Sequence, residues 1–461
     1  MSIYLRPLTL ADAATSWQWR NDADVWQYTG SRPDRAITEA IETAWLEQAL
    51  QRPDERRYAI CLTDTHEYIG NVQLTHITAR GAQVHLFIGA KQYWGKGYGR
   101  QAIAALLQLI DHLPESERLY LQVHPDNTAA IRLYQHAGFE AVGHIGPTQL
   151  LMEKRKASEN APTLSVFMMS YNHAPFIGQA LQGVFDQQVD FPVEIVLGDD
   201  ASTDDTRAVI FRYYQQRPWL FRLLLPNHNS GAVHNQWQVF DACRGEYIAM
   251  LEGDDYWTHP HKLQTQVTYL QQHPTSSICF HNAQIVDDKH TAVGYSNVQE
   301  QPVDTHFDDL AKGEYIYTAT CVFRSQYLQQ YPREGRPYMN NYTLDLFNAQ
   351  FGSIHYINEV WSVYRQHMGG TWSMKPRLQT LLAQLPTYEY YLTLFGKKHA
   401  HHFINHLRVI THDLLQLSYA KEGMTTKAFA IKKYVQYHGG WINHLRLIPS
   451  FLTSRIQQPN A

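Results

Sequence analysis

Cysteine is scarce in this chain. Only Cys61, Cys243, Cys279 and Cys321 occur among 461 residues, and no two form a Cys-x-x-Cys pair. That excludes a disulfide framework and a thiolate zinc site, and it suits a reducing cytoplasm. Long apolar runs are missing as well. No stretch approaches the roughly 20 residues of a membrane-spanning helix, and Met1-Ser2-Ile3-Tyr4-Leu5-Arg6 does not begin a secretory signal. Nor does one sign of charge dominate: 39 Lys and Arg oppose 43 Asp and Glu, for a net charge of −4. Such a balance excludes a general nucleic-acid binder. The charge is nevertheless uneven, because nine basic residues and two acidic ones fall from Lys397 onward. A basic end on an acidic body suits peripheral contact with an anionic inner membrane face.

What is present describes a globular protein, with 44% hydrophobic and 18% charged residues. Its length suggests about three domains. A polar joint at 154–162, Lys154-Arg155-Lys156-Ala157-Ser158-Glu159-Asn160-Ala161-Pro162, separates two patterns. Before it, at 1–153, short alternating strands (Tyr58 to Leu62, Tyr68 to Thr75, Val84 to Ile88) mix with a helical repeat over Gln101 to Asp111. After it, at 163–375, strand and helix alternate: Leu164 to Met169, Ile177 to Phe185, Val193 to Leu197, Thr206 to Tyr214. That order predicts a parallel doubly wound sheet. Residues 376–461 read as helical, with Phe403, Leu407, Ile410, Leu414 and Leu417 on one stripe. No apolar pattern crosses the joint, so the two halves are expected to be separable.

Between a strand and a helix lies Gln92-Tyr93-Trp94-Gly95-Lys96-Gly97-Tyr98-Gly99-Arg100. Glycines at alternate positions let backbone N–H groups converge, and the helix that follows adds its positive end, which makes a nest for a diphosphate. Asn127 to Tyr134 and Gly138-Phe139 come after the next strand. With both motifs, residues 1–153 resemble a GNAT-family N-acetyltransferase. The resemblance implies acetyl-CoA between two splayed parallel strands, bound through Gln92, Gly95, Lys96, Gly97, Tyr98, Gly99 and Asn127. It also implies that Tyr134 protonates the departing thiolate. Many relatives carry a Glu on the strand before the cradle. Here that strand reads Gln83-Val84-His85-Leu86-Phe87, and His85 is either the general base or a strand histidine without chemistry. Trp17-Gln18-Trp19-Arg20-Asn21-Asp22 resembles relatives that acetylate amino-sugar nucleotides or protein N-termini, and it leaves that choice open.

In a doubly wound sheet ligands bind beyond the carboxyl ends of the strands. Polar clusters fall there three times: Ser170-Tyr171-Asn172-His173, then Asp199 to Thr206, then Glu252-Gly253-Asp254-Asp255. Together with Asn227, Gly231 and Tyr364-Arg365-Gln366-His367 ahead of Gly369-Gly370-Thr371-Trp372-Ser373, they resemble a family 2 glycosyltransferase of the GT-A, Rossmann-like fold. The resemblance implies a nucleotide-diphospho-sugar donor held by Asn172, Asp199, Asp200, Asp254 and Arg365. It also implies Mg²⁺ or Mn²⁺ at Asp254, Asp255 and His367, chemistry that suits hard oxygen ligands. Glu252 stands where many relatives have Asp, which leaves open which acids hold the ion. A glycan, a lipid-linked sugar or a protein would be the acceptor.

Relatives place the transfer base about eleven residues before a glycine, which here is Asn341. An amide cannot serve, so Asp345, one helical turn on, is expected to take the role; otherwise this half binds sugar nucleotide without turnover. His399, His402 and His406 have no carboxylate near them in sequence. They read as a solvated helix face, not as a metal site.

Overall fold

Alternating burial in the first 155 residues builds a seven-stranded sheet. In a computed structural model, residues 2–28, 34–156, 161–297, 302–367, 376–421 and 424–438 are described. The chain opens with β1 (Ile3–Pro7), α1 (Ala13–Arg20), α2 (Glu39–Ala49), β2 (Arg56–Leu62), β3 (Tyr68–Thr78) and β4 (Gly81–Ile88). It continues with α3 (Tyr98–Ile110), β5 (Arg118–Val123), α4 (Thr128–His136), β6 (Glu140–Gly146) and β7 (Gln149–Arg155). The strand order is β1-β2-β3-β4-β5-β7-β6, and every pair except β4–β5 is antiparallel. Ile103, Leu106 and Ile110, one stripe of α3, are buried with Val84, Leu119 and Leu121 of the sheet.

The expected strand–helix alternation follows as β8 (Leu164–Ser170), α5 (Ile177–Phe185), β9 (Val193–Asp199), α6 (Thr206–Gln216), β10 (Phe221–Leu224), α7 (Ala232–Ala242) and β11 (Tyr247–Glu252). These four strands are parallel in the order β10-β9-β8-β11. Leu164, Val166, Phe167 and Met168 are all buried, as both faces of a covered parallel sheet require.

The two halves pack against each other across a face that the sequence pattern does not mark. Residues 1–256 form one compact unit, and the outer face of the first sheet is covered by α6. Tyr120 alternates with the core residues Leu119 and Leu121, so it points away from α3. Its ring lies edge-on to Tyr214 at 5.0 Å and to Phe211 at 6.2 Å. Arg118 pairs with Glu153 at 3.4 Å and donates to the Phe221 carbonyl. Gly143 of β6 bridges Leu225, and any Cβ there would collide with the Leu225 carbonyl. The sequence hid this contact because Tyr120 and Tyr214 each fit an ordinary strand or helix pattern. Residues 157–160 of the joint lie outside the described residues.

The second unit spans residues 257–461. A two-residue strand at Tyr256–Trp257 (β12) precedes α8 (Lys262–Gln272), β13 (Ser276–Val286), β14 (Ala292–Tyr295), β15 (Asp304–Thr305) and α9 (Phe307–Leu310). Then come β16 (Val322–Arg324), α10 (Asn341–Ala349), β17 (Ser353–Arg365), α11 (Arg377–Leu394), α12 (Gly396–Lys421) and α13 (Met424–His438). β13 runs parallel to β17 and antiparallel to β14 and β16. On α12 the expected stripe is buried at Phe403, Leu407, Ile410 and Leu414. It packs with Leu381 and Leu385 of α11 and with Ala430 of α13. Among the described residues no helix is long and apolar enough to cross a membrane. Residues 439–461 of the basic end, and the Gly369–Ser373 motif, lie outside the described residues.

Candidate active sites

The first site opens where two parallel strands part. β4 and β5 pair only at Ala82–Leu119 and Gln83–Tyr120, and the remainder of each strand is unpaired with the other. The cradle closes that gap. Gly95 and Gly97 have φ of +73° and +85°, a region glycine enters without steric cost, and Gly97 caps α3. A Cβ on either would point into space free of protein atoms within 4 Å. Gly99 has a different task, since a Cβ there would press on the Leu133 side chain where α3 meets α4. The Tyr98 ring is buried against Tyr93, so only its backbone faces the cradle, while Lys96 lies over the Tyr93 ring. Gln92 is exposed and hydrogen-bonds Glu67. The cradle's open space, its N–H groups and the helix end fit a diphosphate.

Asn127 caps α4 through its side-chain oxygen, which accepts from the Ala130 N–H at 3.1 Å. Tyr134, on that helix, is buried against Phe139, and burial raises its phenol pKa, so it holds its proton. His85 hydrogen-bonds Thr75 Oγ1 at 2.9 Å. Burial, with Arg57 next in effect, pushes its pKa down to about 4, which keeps the imidazole neutral. A cavity of about 530 Å³ opens beside α1 and α2, lined by Arg20, Trp26, Ile41, Glu42 and Trp45. Its size lies in the ordinary range for small-molecule sites. Arg20 is clamped there, 3.1 Å from Glu42 and over the Trp45 ring at 4.2 Å. Sequence reading missed Glu42 and Trp45, which sit in a helix with no motif of its own.

The cradle allows a direct test. Gly97→Val forces a β-branched residue to φ of +85° and fills the open space. Acetyl-CoA affinity of the full chain, measured by calorimetry, should fall at least about a hundredfold, since strain of about 1–2 kcal/mol adds to the lost approach to the backbone. Unchanged affinity would remove the cradle assignment.

At the second site, successive loops interlock beyond the strand ends. Asn172, with φ of +56°, accepts from the Thr203 N–H at 2.8 Å, and its own N–H donates to Ser202 Oγ. Asp204 accepts from the Thr206 and Ala174 N–H groups and so joins the start of α6 to the first loop. Asp200 accepts from Ser230 N and Oγ and from Gly231 N. Asp199, expected to touch nucleotide, is fully buried. Its oxygens bond Ser202 and the Arg207 Nε at 2.5 Å, so it holds the loop and does not face a ligand. The other nitrogens of Arg207 donate to the carbonyls of Asp199, Pro226 and His144. The last of these belongs to β6, in the first sheet.

Glu252, Asp254 and Asp255 bring three carboxylate oxygens within 4.8 Å of one another. His173 Nε2 is 3.6 Å from Asp254. Gly253 lets the acidic turn lie against the end of β8, because a Cβ there would crowd Ile177, His173 and the Met169 carbonyl. Hard oxygen donors so grouped fit Mg²⁺ or Mn²⁺.

In the second unit, Arg365 is buried at the end of β17 and His367 follows it. Asn340 caps α10 by accepting from the Thr343 N–H, and Asn341 donates to Thr318 Oγ1 at 2.5 Å. Asp345, expected as transfer base, is 4% exposed. Burial, and then the charge of Glu314, raises its pKa well above the usual carboxylate value. A carboxyl so buried does not reach an acceptor hydroxyl. Glu314 itself reaches solvent, and partial desolvation lifts its pKa to about 7. No motif marks Glu314 in the sequence.

Residues 2–140 match the family model of the acetyltransferase (GNAT) domain, and residues 165–331 match that of glycosyl transferase family 2. An uncharacterized protein of Mycobacterium tuberculosis is 37% identical over 214 residues, which are 45% of this chain and 60% of that one. Aminoglycoside N(6')-acetyltransferase type 1 of Klebsiella pneumoniae is 27% identical over 182 residues, 36% of this chain and 89% of its own length. The putative teichuronic acid biosynthesis glycosyltransferase of Bacillus subtilis is 30% identical over 111 residues, 24% of this chain and 43% of its own. The chain thus spans about 60% of the length of the mycobacterial relatives it matches.

Proposed function

Because the chain joins a GNAT acetyltransferase domain to a glycosyltransferase family 2 domain, we propose that it is a bifunctional enzyme of surface-polysaccharide or glycoconjugate assembly. One site transfers an acetyl group from acetyl-CoA to an amine. The other transfers a sugar from a nucleotide diphosphate with inversion. The observation that carries the reading is the pairing of a diphosphate cradle at parted strands with a carboxylate cluster at a strand end, each built from the residues its chemistry needs.

In the first reaction the Gly95–Gly97 amides hold the pyrophosphate and Asn127 orients the pantetheine arm. Tyr134 returns a proton to the thiolate that leaves. Neutral His85 is available to take the ammonium proton, although a pKa near 4 makes it a weak base. An amino sugar is the preferred acceptor over a protein N-terminus. The aromatic-walled cavity suits a sugar ring, and an aminoglycoside acetyltransferase is among the relatives. Thiol release from acetyl-CoA with amino sugars, amino-sugar nucleotides and peptides as acceptors tests this. Turnover with peptides alone would favour the N-terminal acetyltransferase.

For glycosyl transfer, Asn172 and Asp200 shape the nucleotide pocket. A divalent ion at Asp254 and Asp255 would offset the charge of the departing diphosphate. The acceptor, whether glycan, lipid-linked sugar or protein, needs a base. Glu314, exposed and near enough to Asp345 to raise its pKa, is the carboxylate proposed for that work. Transfer should then rise with pH through about 7, where Glu314 ionises. Glu314→Gln should lower it about a hundredfold or more and leave donor affinity unchanged.

The same region also supports a second reading. With Asn341 at the family's base position and Asp345 buried, the module would hold a sugar nucleotide without turnover. An idle wild type that Asn341→Asp switches on would select that reading over Glu314.

A further inference from the structure

The histidines of α12 lack a carboxylate in their sequence neighbourhood, but the fold supplies one. Asp308, in α9, places Oδ1 2.9 Å from His399 Nδ1 and 3.1 Å from His402 Nε2. One potential ligand atom from each of the three lies within 4.8 Å of the others. We propose that Asp308, His399 and His402 form a site for a divalent transition metal of the zinc class, which clips α12 to α9. His399 and His402 do not form the solvated face expected from the sequence, because their side chains are largely buried.

Three features carry the assignment. The first is spacing. Zinc bonds nitrogen and oxygen at about 2.0–2.1 Å, so tetrahedral ligand atoms lie roughly 3.3 Å apart. The two Asp308–histidine separations lie within a few tenths of an ångström of that value, and the two histidine nitrogens lie within 4.8 Å of each other. The second is donor type. Two imidazoles with one carboxylate favour zinc, cobalt, nickel or copper over magnesium, calcium or manganese. The third is preorganisation. The His399 and His402 side chains are 11% and 13% exposed, and the Phe307 ring lies 4.1 Å from that of His399. Asp308, at 59%, faces solvent and leaves a path of entry and a place for water as fourth ligand. His406 is not part of the set, because its Nε2 is bonded to the Ala311 carbonyl at 3.1 Å.

The clip ties residues 91 and 94 positions apart. An unfolded chain cannot present them together, so metal uptake adds to folding stability. The site is separate from the carboxylate cluster proposed for donor chemistry, and it differs from that cluster in ligand type.

The test uses the full chain, stripped by chelator and kept in excess Mg²⁺ so that the hard-oxygen cluster is occupied. Calorimetry should find one tight Zn²⁺ equivalent, Co²⁺ should give the visible absorption of a four-coordinate ion, and Zn²⁺ should raise Tm. Asp308→Asn and His402→Ala should each weaken binding at least tenfold and abolish the rise. Asp308→Asn keeps an oxygen that accepts both imidazole hydrogen bonds, so it separates loss of metal from loss of structure. His412→Ala, elsewhere on α12, should change nothing. The proposal fails if wild type takes up no Zn²⁺ under these conditions. It also fails if Asp308→Asn and His402→Ala bind Zn²⁺ and Co²⁺ as wild type does.

Discussion

Asp255→Ala should cut release of nucleoside diphosphate from the sugar donor by about a hundredfold or more, measured in the full chain with saturating Mn²⁺. The expected size comes from what the group opposes. A diphosphate leaves with charge that only preorganised electrostatics can offset, and removal of one such element typically costs a hundred- to a thousandfold. Asp255 is 1% exposed, and its carboxylate lies within 4.8 Å of those of Glu252 and Asp254. Three carboxylates gathered in one turn, one of them buried, fit a shared cation, and that is why the cluster is read as a site and not as a solvated turn. Asp255→Asn keeps the volume and removes the charge. It should lose activity to the same extent, which separates electrostatics from packing. Full activity of the wild type in EDTA would end the metal-supported account.

Arg207→Ala should lower folding stability by about 3–5 kcal/mol, read from the shift in chemical denaturation midpoint. An exposed ion pair contributes at most about 1 kcal/mol, but this one is enclosed on both sides. Asp199 is fully buried and Arg207 is 9% exposed. Removal of the guanidinium leaves a buried carboxylate without a countercharge, the case in which broken pairs cost most. It also strips a donor from the carbonyls of His144, Pro226 and Asp199 itself. Adding Asp199→Asn to Arg207→Met should recover much of the loss, because no orphaned charge then remains. A shift below about 1 kcal/mol for Arg207→Ala would mean that water reaches the pair.

Much of the fold was legible in the sequence because local patterns report burial faithfully. The helix predicted at Ile177 to Phe185 has those bounds in the structure, and the strand at Leu164 extends one residue further, to Ser170. The three acidic and polar clusters do lie at strand ends, as parallel-sheet topology demands. What stayed hidden is what each buried face is buried against. Tyr120 alternates correctly as a strand residue, yet nothing in that alternation says that its partner is Tyr214. Asp308 is invisible beside His399 because 91 residues intervene. Asp345 is a related case: helical spacing gave its distance from Asn341, but not the burial that raises its pKa. Glu314 has no motif at all, and only the crowding around it reveals its character.

One feature of α6 bears on how such a chain can change over generations. Its first turn anchors the loop of Asp199, while its last turns carry Phe211 and Tyr214 against Tyr120 of the other domain. A substitution at Tyr120 would therefore be judged partly by its effect on a loop that its own domain does not contain. Neither domain is free to drift alone, and replacing one by a distant homologue would require that α6 be rewritten with it.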